Sequence, residues 1–221
     1  MASSAYLLSS LLLTTIVLLF AISGADGEYE KSGNCIDSEC PAYTVIHSQK
    51  EFEIRKYNTS KWMATKPIMS KSYKKATDIG FQKLFSYIEG NNTEGTKVEM
   101  TAPVLVDISN MTGPFCNSSF VMSFYLPKKN QANPPGSNLV SPVMWPSMKY
   151  SHVAIRRFGG MMEDNSIIAK EAAMLMNSLK GSEWEEAVMT AMKARKNGYS
   201  VAGYNSPFEI VGRINEIFFM F

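Results

Sequence analysis

Phe81-Gln82-Lys83-Leu84-Phe85-Ser86-Tyr87-Ile88-Glu89-Gly90 and, 91 residues further on, Ala172-Ala173-Met174-Leu175-Met176-Asn177-Ser178-Leu179-Lys180-Gly181 are two versions of one pattern. In the first, Phe81, Leu84, Phe85 and Ile88 recur at i, i+3, i+4 and i+7. That spacing puts four large apolar groups on one face of a helix spanning Ser72 to Gly90, which Gly90-Asn91-Asn92 terminates. In the second, Leu175, Met176 and Leu179 fall on Leu84, Phe85 and Ile88, and Gly181 falls on Gly90, giving a helix from Asp164 to Leu179.

The repetition extends outward from the helices. Tyr43 to His47 and Phe52 to Tyr57 read as a hairpin around Ser48-Gln49-Lys50, followed by a strand Lys61 to Lys66 that Pro67 ends. The same offset lays Trp62 on Val153 and predicts a strand His152 to Phe158 before the second helix. After the first helix, Val98 to Ile108 and Ser119 to Leu126 alternate apolar and polar residues as long strands do. After the second come a short helix Glu183 to Lys196 and strands Tyr199 to Tyr204 and Asn215 to Met220. The short helix shifts the register by about ten residues, so that Met100 to Pro103 faces Val201 to Tyr204. The five prolines between Pro127 and Pro146 predict a long loop, because proline lacks the donor that a ladder needs. The reading is an α+β domain of two β-α-β-β repeats, a pseudo-two-fold sheet or distorted barrel carrying two main helices. An apolar groove beside or between those helices is the expected place for a small-molecule site.

Residues 1–25 contain no charged side chain, and Leu7 to Ile22 is an apolar run followed by the small residues Ser23-Gly24-Ala25. A cleaved secretory signal peptide is expected there, with a retained membrane anchor as the alternative. Residues 26–41 then form a polar tail, and residues 42–221 the folded domain. The expected location is the secretory pathway, ending outside the cell or in a vacuole, with no membrane attachment after cleavage. Sequons at Asn58, Asn91, Asn110 and Asn117 are glycosylation candidates in that compartment. Of three cysteines, Cys35 and Cys40 could close a small loop, but the pairing expected is Cys40 with Cys116, tying the start of the domain to a distant loop.

The 22 Lys and Arg nearly balance 20 Asp and Glu, a net charge of +2, which argues against a nucleic-acid binder held by a phosphate field. With two histidines, no G-x-S-x-G and no H-E-x-x-H, phosphate-loop or dinucleotide glycine pattern, no catalytic motif is present. Glu99, Glu209 and Glu216 are the acidic groups in or near strands that an acid–base mechanism would draw on. His47 and His152 read as ordinary hydrogen-bonded residues, and no zinc spacing exists. Fifteen methionines suit either a core or a pocket for a large flat ligand, and thioether sulfur can ligate haem iron; Met63, Met174 and Met176 are the candidates nearest the two helices. Arg55-Lys56 and Arg156-Arg157 are cations on strands leading to the helices.

An ordered set of motifs now carries a resemblance. Phe52-Glu53-Ile54-Arg55-Lys56-Tyr57, Lys61-Trp62, Glu99-Met100-Thr101-Ala102-Pro103-Val104, Tyr125-Leu126-Pro127, Asn133-Pro134-Pro135, Phe158-Gly159-Gly160, Ala202-Gly203-Tyr204-Asn205-Ser206-Pro207 and Asn215-Glu216-Ile217, with Pro114-Phe115 between, make Pro41 to Phe221 resemble the SOUL haem-binding protein family. The leader and the early cysteines look like its secreted plant branch. The resemblance implies a distorted barrel-like α+β fold of two repeats, related to bacterial small-molecule-binding regulators. It also implies noncovalent binding of haem or another tetrapyrrole in an apolar groove along the first helix, by a non-enzymatic monomer. On this chain the implied site residues are Phe81, Leu84, Phe85 and Ile88, with Arg55, Lys56 or Lys83 as propionate partners. Where some members carry a proposed axial His, this chain has Lys56, which leaves a groove that holds the tetrapyrrole by apolar contact and propionate pairing without an axial His, ligation by another residue, or no haem binding. A hydrolase using Glu99 or another groove carboxylate, and a protein-interaction module using the same groove, are the rival readings.

Overall fold

A computed structural model describes residues 32–109, 118–196 and 198–221. The signal-peptide stretch, Cys116, Asn110 and Asn117 lie outside those residues. One antiparallel, curled sheet organises the molecule, ordered β1-β2-β8-β10-β9-β5-β6-β3-β7, with a short β4 paired to β6. The strands are β1 Tyr43–Ser48, β2 Glu53–Tyr57, β3 Ser60–Thr65, β4 Ile68–Ser70, β5 Val104–Ser109, β6 Ser118–Tyr125, β7 Val140–Trp145, β8 His152–Phe158, β9 Tyr199–Gly203 and β10 Asn215–Met220. The helices are a single turn α1 Asn34–Asp37, the two long helices α2 Tyr73–Ile88 and α3 Asn165–Leu179, and α4 Glu185–Ala194. None of the described helices is long and apolar enough to cross a membrane.

The order has an internal two-fold about the β9–β5 pair, with β10 matching β6, β8 matching β3, and β2 matching β7. Helix α2 packs on β3, β4 and β6, and α3 packs on β8 and β10, as the duplicated pattern requires. The outer strands are exchanged. β2 precedes β3 in the chain but pairs with β8 of the second repeat, and β7 precedes β8 but pairs with β3 of the first. Neither repeat has a complete sheet without the other.

The helix boundaries follow local chemistry. Ser72 accepts from the Lys75 amide and Asp164 from the Ser166 amide, capping α2 and α3. Past the helix ends, Gly90 and Gly181 take φ of 107° and 73°, a region that side chains with a Cβ disfavour. Asn165 also ties the two helix starts together, accepting from the Tyr73 amide at 2.8 Å and donating to the Lys71 carbonyl at 2.7 Å.

Three expectations are corrected. The proline-rich stretch 127–146 contains strand β7; it tolerates Pro142, opposite Met63, because it is the edge of the sheet. The strand expected over Val98 to Ile108 begins only at Val104, since the preceding backbone bonds elsewhere: the Val98 amide to the Ile88 carbonyl and the Ala102 amide to the Glu39 carbonyl. The disulfide joins Cys35 to Cys40, with Cα atoms 5.5 Å apart, not Cys40 to Cys116; the α1 turn brings the two neighbours within bridging distance.

Both faces of the sheet are buried. The helix-covered face holds Leu84, Ile88, Leu175 and Leu179 against Ile54, Met63, Val106, Phe124, Ile217 and Phe219. The other face holds an aromatic cluster in which Trp145 stands 5.2 Å from Tyr57 and from Trp62, and 5.9 Å from Phe218. Beside it lies a buried ionic network. Arg55 donates to Glu53 at 2.6 Å and, through both terminal nitrogens, to the two oxygens of Glu216 at 3.0 Å. Arg157 and the Tyr204 hydroxyl also donate to Glu216, each at 2.8 Å, and the Arg55 guanidinium lies 4.2 Å over the Tyr43 ring. The side chains of Glu53, Arg55 and Glu216 are 0% exposed.

Breaking such a network strands a buried charge, so Arg55→Ala is expected to lower the unfolding free energy by about 3–5 kcal/mol. The exposed neighbour Lys56→Ala is expected to change it by less than about 0.5 kcal/mol. Urea unfolding at neutral pH measures both, and equal effects would contradict the network. A pH dependence accompanies it. Burial alone would raise the Glu216 carboxyl, but the charges and hydrogen bonds of Arg55 and Arg157 hold it below its ordinary 4.5. A carboxyl held down in the folded state contributes stability that is complete above the ordinary value and is lost as pH falls beneath it. The urea midpoint is therefore expected to drop below pH 4.5, and to drop less steeply in Glu216→Gln; identical slopes would remove Glu216 as the cause.

Candidate functional site

The helix-covered face is not fully closed. Beside α2, toward β5 and β9, the sheet's central pair, a groove runs along the helix as two adjoining cavities of about 470 and 520 Å³. Both are lined by Phe81, Val104, Gly203, Asn205 and Pro207. One wall is α2 itself, with Tyr73, Lys74, Thr77, Asp78, Phe81 and Phe85. The floor is Val104, Val106 and Met122, and the opposite rim is formed by Met161, Met162 and Glu163 before α3 and by the loop from Tyr204 to Arg213. The far end is closed by Asn34, Asp37 and Ser38 of the α1 turn, which the Cys35–Cys40 bridge pins. Asn34 holds that turn to the rim by donating to the Tyr204 carbonyl at 2.6 Å.

Two aromatic rings dominate the wall. Phe81 and Phe85, one helical turn apart, stack with centroids 5.5 Å apart and planes inclined by 15°, and Phe85 remains 45% exposed. Phe81 is braced edge-on by Phe124 of the floor strand β6 at 5.7 Å. Gly203 keeps the floor low, since a Cβ there would come within 3.1 Å of the Met162 methyl. The rim loop presents Phe208, 91% exposed, with Ile210 and Val211 also bare.

Two cations reach the groove. Lys74 is ion-paired with Asp78 at 3.0 Å, and that hydrogen bond raises its pKa. Arg213 spans the rim loop by donating to the carbonyls of Ser206 and Glu209 at 2.9 and 2.6 Å, while its buried Nε has no partner. Among the carboxylates, Glu209 is held below its ordinary value by hydrogen bonds from Asn205, the Ser206 amide and Asn34. Burial raises the phenol of Tyr73 far above its ordinary value, keeping it neutral. Among the described residues no group of three or more His, Cys, Asp and Glu is placed to hold a metal ion.

The structure separates the residues singled out from sequence. Phe81 and Phe85 line the groove, whereas Leu84 and Ile88, on the same helical stripe, point into the core beneath it. Arg55 is on the opposite face of the sheet, spent on Glu53 and Glu216, so it cannot serve as a propionate partner. Lys56 is exposed on β2 and Lys83 is half-buried on α2; neither lines the groove. Met63 is core, Met176 packs against it, and Met174 lies 3.8 Å from Arg156 on α3. His47 and His152 are likewise away from it, packed against Phe52 and Phe221. Glu216 belongs to the ionic network, and Glu99 is exposed and paired with Lys129. The groove residues missed from sequence are Met100, Met122, Met161, Met162, Lys74 and Arg213. Four of these six, Met100, Met161, Met162 and Arg213, lie between the helices and strands, where periodicity gives no orientation.

Comparison with known proteins matches this architecture to one family. The family description "SOUL heme-binding protein" matches residues 38–220. Human heme-binding protein 2 is 33% identical over 169 residues, covering 75% of this chain and 76% of its own, and the mouse protein of the same name is 31% identical over 168 residues with the same coverage. Among solved structures, the EcmrR C-terminal domain superimposes over 80% of this chain and 96% of its own at TM-score 0.48 and 10% identity, too loose a likeness to carry an argument. A match over nearly the whole described domain, together with relatives above 30% identity, means that the chain belongs to the SOUL heme-binding protein family.

Proposed function

We propose that this protein binds haem or a related tetrapyrrole noncovalently in the groove along α2. The observation that carries the reading is the stacked Phe81–Phe85 pair, left partly open to solvent where it lines the groove beside α2. Exposed aromatic surface of this kind has its reason in a partner with a flat apolar face. The remaining donor set fits such a ligand. Lys74 and Arg213 stand at one end of the groove, where charge-assisted bonds would hold two propionates, and the partnerless Arg213 Nε leaves that cation short of an acceptor. The apolar floor would take the macrocycle, and flexible methionines adapt to its outline. When iron is present, the ligand supplies a redox-active centre; the chain's part is to bind, orient and shield it.

Binding is favoured over the hydrolase reading by the carboxylates at hand. Glu209 is held ionised by three donors, and Asp78 is tied to Lys74, so neither is poised to give up a proton. Transport or buffering suits a site open along one side.

Replacing both Phe81 and Phe85 by Ala is expected to weaken protoporphyrin and haemin binding roughly tenfold to a hundredfold, the effect of losing two aromatic contacts from a binding face. Absorption titration of the folded double variant measures it. Unchanged affinity would remove this groove as the site. Lys74→Gln with Arg213→Gln should in turn flatten the salt dependence of binding.

The compartment belongs to the same proposal. The uncharged apolar run Leu7 to Ile22 with its small-residue end, and a disulfide of the kind that persists in oxidising compartments, support passage into the secretory pathway. Asn58, in the turn between β2 and β3, and Asn91, after α2, are exposed and outside the groove, so glycans there would leave it free. Expression in a secretory host should yield a protein starting at Asp26 whose mass falls on enzymatic deglycosylation. An intact Met1 leader on the recovered protein would overturn the assignment.

A further inference from the structure

We propose that Met162 is the protein ligand to iron when the groove holds an iron porphyrin, an inference that rests on the tetrapyrrole reading above. An iron ligand needs a lone pair at the groove. Both histidines are elsewhere, His47 against Phe52 and His152 against Phe221. Lys74 is a protonated ammonium held by Asp78 and has no lone pair to give. Tyr73 is a buried neutral phenol, and the Glu209 carboxylate is taken up by Asn34, Asn205 and the Ser206 amide.

Of the other lining carboxylates, Asp78 is tied to Lys74 and Glu163 is exposed on the rim; the thioethers differ in position. Met122 is buried under α2, its sulfur 3.1 Å from the Cβ position of Gly80. Met100 lines the cavity at the α1 end, remote from the cations, and Met161 is an exposed rim residue. Met162 alone is partly buried, packed against the core and folded over the floor with its methyl 3.1 Å from the Cβ position of Gly203. It lines the same cavity as Phe81, Lys74 and Arg213, but from the loop before α3. A macrocycle stacked on Phe81 with its propionates toward Lys74 and Arg213 therefore has Met162 beside it, on a chain segment already anchored by its packing. Thioether is neutral at every pH, so the ligation adds no charge to a largely apolar cavity and does not titrate.

The test titrates the mature protein with haemin and with iron-free protoporphyrin, comparing wild type with Met162→Leu, which nearly conserves volume, and with Met161→Leu and Met100→Leu. In wild type the haemin complex is expected to show the weak near-infrared charge-transfer band of a thioether bound to iron(III), unchanged between pH 5 and about 8, the range across which a histidine ligand would titrate. In Met162→Leu the band is lost and haemin affinity falls about tenfold while protoporphyrin affinity holds, a pattern that lost packing would not produce. A band that survives in Met162→Leu, or is lost in Met161→Leu or Met100→Leu instead, overturns the assignment to Met162. Equal weakening toward both porphyrins makes Met162 a packing residue and leaves the groove reading standing. Failure of wild type to bind either porphyrin removes the groove reading and this inference with it.

Discussion

Arg55 and Glu216 are 161 residues apart in sequence and meet across β8, in a bidentate ion pair with no exposure to solvent. Their strands belong to different repeats: β2 begins the first, and β10 ends the second. A buried guanidinium is tolerated only if its donors are met and its charge is balanced. Glu53 and Glu216 do the first, and with Arg157 they bring the formal charge of the network to zero. The pair thus requires that β2 lie beside β8, not beside the strand that follows it, and the exchanged topology depends on that choice. A hydrophobic contact would accept a neighbouring register; a fork-shaped donor facing two carboxylate oxygens does not.

That clamp divides labour between the faces of the sheet. The ionic and aromatic face is tightly packed at its centre, with Trp62, Trp145 and Phe218 interlocked. The other face need not be closed everywhere to hold the fold. At its centre, where β5 meets β9 on the two-fold, Val104, Val106 and Gly203 line an open cavity. The groove lies there. Its rim is made of loops, and loops can differ between repeats without disturbing the sheet, so a symmetric scaffold carries an asymmetric groove beside α2.

What was legible in the sequence follows the same division. The two long helices were readable because one face of each meets a core and so must repeat with the period of the backbone, and the strand Asn215 to Met220 because it is a short apolar run buried on both faces. β7 was not, since an edge strand with Pro142 satisfies the sheet through one side only. Arg55 reads from sequence as a cation free for a propionate, because a sequence shows its charge but not Glu216, which folding brings to it. The helical stripe of four apolar residues named the right element and half of the right residues: a stripe about 100° wide faces one direction on average, and only contact with the sheet decides that Leu84 and Ile88 go under it while Phe81 and Phe85 stand at its margin. The loop residues Met162 and Arg213 obey no period at all.

An open margin also bears on what kind of binding the fold supports. A cofactor kept for the lifetime of a protein is commonly enclosed on both faces, with ligands fixed by a second shell of hydrogen bonds. Here one wall is a stacked aromatic pair exposed at Phe85, the rim is a loop tipped with bare Phe208, and the anchoring cations are shared with protein acceptors, Lys74 with Asp78 and Arg213 with two carbonyls. A ligand anchored by these cations therefore competes with the protein acceptors they already hold. Affinity is the surplus over those contacts, and release restores them. On the proposed tetrapyrrole reading, the ligand loads and unloads without rearranging the sheet, because the clamp that fixes the sheet lies on its other face.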